Sequence, residues 1–190
     1  MRKIPTLFVR DPDDRAHVLP QVDTRCQWVA EGEGRATRKY DGTCVMLDEG
    51  GVWWARREVK AGKAQPAGYV AVSTDEVTGK TMGWEPVGQS AFAKFHAEAV
   101  ADGELAGGAG AFEAGTYELV GPKINGNPER AAGHRLIRHA DAEVVEPAGR
   151  DFESLRAVVR RLAEEDGAEG LVFHHPDGRM AKIKARDFTA

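Results

Sequence analysis

Cysteine is nearly absent: Cys26 and Cys44 are the only two in 190 residues. They have neither CxxC spacing nor a histidine at zinc-ligand spacing, so the sequence points to two thiols in a reducing compartment, not to a disulfide framework or a zinc site. Long apolar runs are missing too. None approaches the roughly 18 residues that span a bilayer, and the basic start, Met1 to Pro5, leads into no apolar stretch that would make a leader. A cytoplasmic location is the expectation. Positive charge is also in short supply: 26 Lys and Arg face 30 Asp and Glu, for a formal net charge of −4. That excludes broad nucleic-acid binding through the bulk field, so any RNA or DNA must be held by a local basic surface. Internal repeats and low-complexity segments are absent as well.

Glycine is plentiful, at 22 residues. With 42% hydrophobic and 29% charged residues, the chain has an ordinary globular composition. The glycine excess favours tight turns and short strands over a helical bundle. Residues 1–26 are polar and turn-rich and read as an irregular arm, with one short strand at Thr6 to Val9. From Gln27 onward, 27–190 reads as one domain. Gln27–Val29, Ala36–Tyr40, Cys44–Leu47 and Val52–Ala55 have strand character, and Asp48-Glu49-Gly50-Gly51 is a hairpin turn between the last two. Lys60 to Gly68 lacks periodicity and is expected to be a mobile loop. Ser90 to Val100 has helical spacing with Ser90 as N-cap, and Gly103 to Gly115 looks like a connector. Thr116–Val120 is a strand, Gly121 to Gly133 a turn-rich loop, and Leu136-Ile137 the centre of a short strand. Phe152, Leu155, Val158, Val159 and Leu162 make an amphipathic helix capped by Asp151 and ended by Gly167. Leu171–Phe173 and Met180–Ala185 form a hairpin through Pro176-Asp177-Gly178. The sum is an α+β fold of mostly antiparallel strands with a few helices. His174 and His175 are neighbours on a strand, pointing to opposite faces, and read as packing or solvated residues, not as a metal pair.

Five segments carry charged residues in positions that chemistry can use. Arg38-Lys39-Tyr40-Asp41-Gly42-Thr43 places a lysine and an aspartate on one side of an extended segment, followed by a glycine that permits close backbone approach. A lysine amine, with a pKa of about 10.4 in the free residue, becomes a nucleophile only after losing its proton, which nearby cations or desolvation promote. Arg56-Arg57-Glu58-Val59-Lys60 offers guanidinium forks suited to phosphate and ribose oxygens. In Tyr117-Glu118-Leu119-Val120-Gly121-Pro122-Lys123 a mid-strand carboxylate needs a partner, and a ribose hydroxyl can serve. Glu169-Gly170-Leu171-Val172-Phe173 puts a carboxylate at a strand entrance, where it can hold Mg²⁺. Lys182-Ile183-Lys184 sets two ammonium groups on one strand face, which a polyphosphate would reconcile.

Taken together and in this order, the segments resemble the covalent nucleotidyltransferase superfamily of ATP-dependent ligases and mRNA capping enzymes. The likeness spans residues 35–188. Lys39 to Cys44, Ala55 to Lys60 and Tyr117 to Lys123 are more similar to RNA ligases than to DNA ligases, and the nearest group is that of the animal 5′-3′ RNA ligase and its bacterial relatives. The resemblance implies the ligase adenylation (nucleotidyltransferase) fold and an ATP-dependent RNA ligase activity. Lys39 would form lysyl-AMP; Asp41 and Gly42 would shape its turn. Arg57, with Arg56 beside it, would contact ribose or phosphate, and Glu118 the ribose. Glu169 would hold Mg²⁺, with Mn²⁺ as a substitute, and Lys182 and Lys184 the α-phosphate. The implied substrates are ATP and RNA with 5′-phosphate and 3′-hydroxyl ends. Arg56, Arg57, Lys60, Lys63, Lys123, Arg130, Arg135 and Arg138 are candidates to line an RNA path. The family's aromatic that stacks on adenine has no clear counterpart. No segment reads as the OB-fold or helical domain that often follows the last motif, which leaves room for a protein partner that grips substrate. The alternatives are a DNA ligase or guanylyltransferase of the same superfamily, or a non-catalytic nucleotide or RNA-end sensor.

Overall fold

The structure, a computed structural model, describes residues 3–108 and 110–189. The fold is α+β, with three mostly antiparallel sheets and few helices. The chain divides into two compact units. One comprises Lys3 and Gly42–Asp141; the other comprises Ile4–Asp41 and 142–189.

The second unit is built on a three-stranded antiparallel sheet of β3 (Arg35–Lys39), β10 (Gly170–His174) and β11 (Met180–Lys184), in the order β11-β10-β3. Strand alternation sorts its side chains. Ala36, Leu171, Phe173, Ala181 and Ile183 are buried with Leu155, Val159 and Leu162 of α3 (Phe152–Asp166). The other face carries Thr37, Lys39, Val172, Lys182 and Lys184. Helix α3 is bounded as its sequence demands. Asp151 accepts from the N–H groups of Glu153 and Ser154, and Gly167 ends it in the left-handed conformation. Both edges of the sheet are covered: Pro5 to Leu7 runs parallel along β11, and 143–145 pairs with β3. His174 Nε2 meets Thr37 Oγ1 at 3.0 Å, while the His175 ring packs edge-on to Trp28 with centroids 5.2 Å apart.

Two expectations for this unit change. The early residues, read as an irregular arm, form β1 (Phe8–Arg10) paired with β2 (Val18–Val22). Leu7, Phe8 and Val18 enter the core, which orders a segment whose composition is otherwise that of a loop. Gln27–Val29, read as a strand, lies in the short helix α1 (Gln27–Ala30). Trp28 and Val29 are both buried there, and so short an apolar run does not distinguish a strand from a helical turn.

The first unit is a six-stranded sheet in the order β6-β7-β5-β4-β8-β9. Its strands are β4 (Thr43–Leu47), β5 (Trp53–Val59), β6 (Val70–Thr74), β7 (Thr81–Pro86), β8 (Gly115–Val120) and β9 (Arg135–Arg138). One face, with Val45, Leu47, Tyr117, Leu119 and Leu136, packs with Phe92, Phe95 and Ala99 around α2 (Ala93–Gly107). The opposite face carries Cys44, Met46, Trp54, Arg56, Trp84 and Glu118. Strand β5 runs on past Ala55 through the arginines, because pairing with β7 continues to Val59. Strands β6 and β7 were not expected; a turn at Asp75, whose carboxylate accepts from the N–H groups of Val77 and Thr78, joins them. Lys60–Gly68 carries no helix or strand. Helix α2 starts at Ala93, not Ser90, whose hydroxyl donates instead to the Val87 carbonyl. It also runs on into the expected connector, where the Phe112 ring covers Gly103.

His96 of α2 is 4% exposed, lies 4.7 Å from the Trp53 ring, and has no partner for Nε2. Burial penalises the imidazolium and holds its pKa below the ordinary 6.5. The unfolded chain therefore binds more protons below pH 6.5. The stability tied to a neutral His96 is complete above that value and is lost as the pH falls toward the depressed folded pKa. His96→Phe is expected to flatten this acid limb. Urea midpoints at pH 7.5 and pH 5.5 would show it as a smaller loss of stability on acidification in the variant than in wild type; equal pH dependence in both proteins contradicts the assignment.

Candidate active site

Lys39, Gly170 and Lys184 form one row across β3, β10 and β11, so the two lysines share a face with only a glycine between them. Gly170 is required. It sits at φ +155°, and a Cβ would collide with the Ile183 carbonyl and lie 2.7 Å from Lys184 Cα. Glu169, one residue earlier, is tied to both neighbouring strands through its backbone. Its N–H donates to the Lys39 carbonyl at 2.9 Å, and its carbonyl accepts from Ala185 N–H at 3.0 Å. Its carboxylate, 11% exposed, pairs with Lys39 through Oε2 and with Lys184 through Oε1. Arg186 adds a third cation at 3.4 Å. Burial acts to raise the Glu169 pKa. The charge of Lys39 and hydrogen bonds from Lys184 and Lys39 outweigh it and hold the carboxyl below its usual range. Lys182 points to the same face, in a row with Val172 and Thr37. Three cations thus meet one carboxylate, and Lys182 lies on the same sheet face.

The turn after β11 is fixed by Asp187, 2% exposed, whose carboxylate accepts from Lys184 N–H at 2.9 Å and from Arg10 at 2.7 Å. Arg186, Asp187 and Arg10 escaped the sequence reading. The first two follow Lys184 closely enough to have been suspected, whereas Arg10 is linked only by the fold.

The Lys39–Gly42 motif straddles the two units. Lys39 to Asp41 belong to one, and Gly42 opens the other. In the first unit, Gly42 N–H donates to Glu118 Oε1 at 3.1 Å, and its carbonyl accepts from Asn125 Nδ2 at 2.8 Å. A Cβ on Gly42 would strike the Leu119 carbonyl. The close approach that this glycine allows is thus to strand β8. Glu118 is buried, and its Oε2 lies 3.0 Å from His139 Nε2, whose Nδ1 meets Thr116 Oγ1 at 2.9 Å. No sequence signal marks His139, since its place depends on how β9 pairs with β8.

The two arginines separate. Register puts Arg56 on the Glu118 face, with Nε buried and unpartnered, and Arg57 on the α2 face, 3.9 Å from the buried carboxylate of Glu85. The eight basic residues proposed for an RNA path all fall in this unit. One of them, Arg138, is already paired with Glu113 at 2.9 Å. Among the described residues, no group of three or more His, Cys, Asp or Glu side chains is placed to hold a metal ion, and no helix is long and apolar enough to cross a membrane.

The chain matches no protein-family model and no curated protein.

Proposed function

We propose that this protein is an ATP-dependent RNA ligase with a nucleotidyltransferase fold, working through a covalent lysyl-AMP at Lys39. The observation that carries the reading is the meeting of Lys39, Glu169 and Lys184, far apart in sequence, on one sheet face that also bears Lys182. A structural ion pair needs one cation; here Lys39, Lys184 and Arg186 meet one carboxylate.

In the first step the Lys39 amine, freed of one proton, forms a bond to the α-phosphorus of ATP while the bond to pyrophosphate breaks. Lys184 and Lys182 stabilise the charge on the phosphate oxygens. Glu169 would hold Mg²⁺: a single carboxylate suits an ion that completes its shell with substrate phosphates and water. The bound ion would supply further positive charge to those oxygens. On the other unit, Glu118 would accept from the ribose, and Arg56, on the same sheet face, would contact ribose or phosphate. AMP then passes to an RNA 5′-phosphate, and attack by a 3′-hydroxyl releases it. The preference for RNA rests on the likeness of Lys39–Cys44, Ala55–Lys60 and Tyr117–Lys123 to RNA ligases.

The test is incubation with α-labelled ATP and Mg²⁺ or Mn²⁺, followed by denaturation and peptide mapping. Label on the Lys39 peptide is expected, and nicked or single-stranded RNA should discharge it. No covalent label with either metal ion sinks the reading. Label from GTP in preference to ATP, or discharge by DNA alone, replaces it with another member of the same superfamily.

A further inference from the structure

The Glu118 carboxylate is buried on a sheet face that α2 does not cover, with its side chain only 11% exposed. A buried carboxylate needs hydrogen-bond donors on its oxygens. The fold supplies one to each: Gly42 N–H to Oε1 and the His139 ring to Oε2. An ionised carboxylate only accepts, so His139 Nε2 carries a proton toward it. The ring cannot drift, because Nδ1 is held by Thr116, two residues before Glu118 on the same face of β8. Each carboxylate oxygen has two lone pairs, and one donor apiece leaves acceptor capacity for a further hydroxyl.

We propose that His139 is a positioning residue for nucleotide binding: it holds the Glu118 carboxylate oriented to accept a sugar hydroxyl of the bound nucleoside triphosphate. The assignment rests on the adenylylation reading above. Because His139 acts through Glu118, its contribution falls on nucleotide affinity and on recognition of the sugar, not on the rate of phosphoryl transfer.

The test compares self-adenylylation by wild type, His139→Ala, His139→Gln and Thr116→Val, using ATP, 2′-deoxy-ATP and 3′-deoxy-ATP, with thermal unfolding as a check on folding. Wild type should prefer ATP over the analogue that lacks the recognised hydroxyl. His139→Ala should raise KM for ATP by roughly tenfold or more, as expected for losing a hydrogen bond to a charged group, and the preference should collapse. Its kcat should stay within about twofold, the mark of lost binding that is uniform between ground and transition states. Glutamine can still donate to Glu118 and should restore most of both. Thr116→Val, which frees only the far side of the ring, should shift KM in the same direction by less. A labelled wild type whose His139→Ala variant keeps its KM and sugar preference overturns the assignment alone. So does a variant that loses kcat equally with ATP and both analogues. A wild type that takes no label sinks the adenylylation reading and this assignment with it.

Discussion

Lys39→Ala should retain no AMP after denaturation, a loss of more than about a thousandfold in labelling, while remaining folded. The physical reason lies in how the charges around Glu169 are shared. Without Lys39, the carboxylate still has Lys184, with Arg186 at 3.4 Å, so no buried charge is left unpaired. The reverse change is not symmetrical. Glu169→Gln leaves Lys39 and Lys184, 19% and 13% exposed, on one face with Arg186 and no anion among them. Removing one partner of a buried ion pair in this way costs about 2–4 kcal/mol. Lys39→Met should therefore move the urea midpoint little and Glu169→Gln much. The double variant should recover about 1–2 kcal/mol of the loss through reduced repulsion. Equal destabilisation by the two single changes would refute the shared-carboxylate account, whatever the labelling shows. The pH dependence follows the same logic. The depressed pKa of Glu169 gives stability that is complete above the ordinary glutamate value of 4.5 and is lost as the pH falls through the folded value.

The strands that carry charged motifs were legible because strand alternation is local. Lys182 and Lys184 had to share a face once β11 was recognised, and the row through Gly170 joins Lys184 to Lys39. Helix α3 was legible from its apolar period and both caps. What the sequence hid depends on pairing between distant segments. The same alternation that aligned the lysines separates Arg56 from Arg57, but which of them joins Glu118 is decided by the β4–β5 and β4–β8 registers. His139 reaches Glu118 only because β9 pairs with β8. The β1–β2 hairpin and α1 were misread because burial, which orders both, comes from β10, β11 and α3, far along the chain. Glu118 itself was expected to await a partner from outside. Its partners within the chain, a glycine N–H and a histidine, have no sequence signature.

Gly42→Ala is the second large effect, and it separates a packing role for this glycine from a conformational one. Gly42 is not among the residues with positive φ, so alanine meets no backbone strain there. The difficulty is space. The new Cβ would strike the Leu119 carbonyl and lie 2.8 Å from Glu118 Cγ and 2.9 Å from Val120 Cγ1. The carbonyl belongs to β8, where Leu119 pairs with Thr43, so relief must come from parting the first pair of the β4–β8 ladder. That movement also pulls Gly42 N–H away from Glu118, leaving a buried carboxylate with one donor fewer. Overpacking and the weakened hydrogen bond together should cost about 3 kcal/mol, a fall in Tm of roughly 6–12 °C for a chain of this size. Gly88→Ala is the matched control. No atom lies within 4 Å of its Cβ position and its φ is not positive, so its stability should stay within about 0.5 kcal/mol of wild type. Because the displaced group is Glu118, the Gly42 variant should also bind ATP more weakly than His139→Ala, which removes one donor but leaves the strand in place. A Gly42→Ala protein as stable as the Gly88→Ala control would mean that β8 yields without cost, and the tight seat of Gly42 against β8 would not be what fixes Glu118.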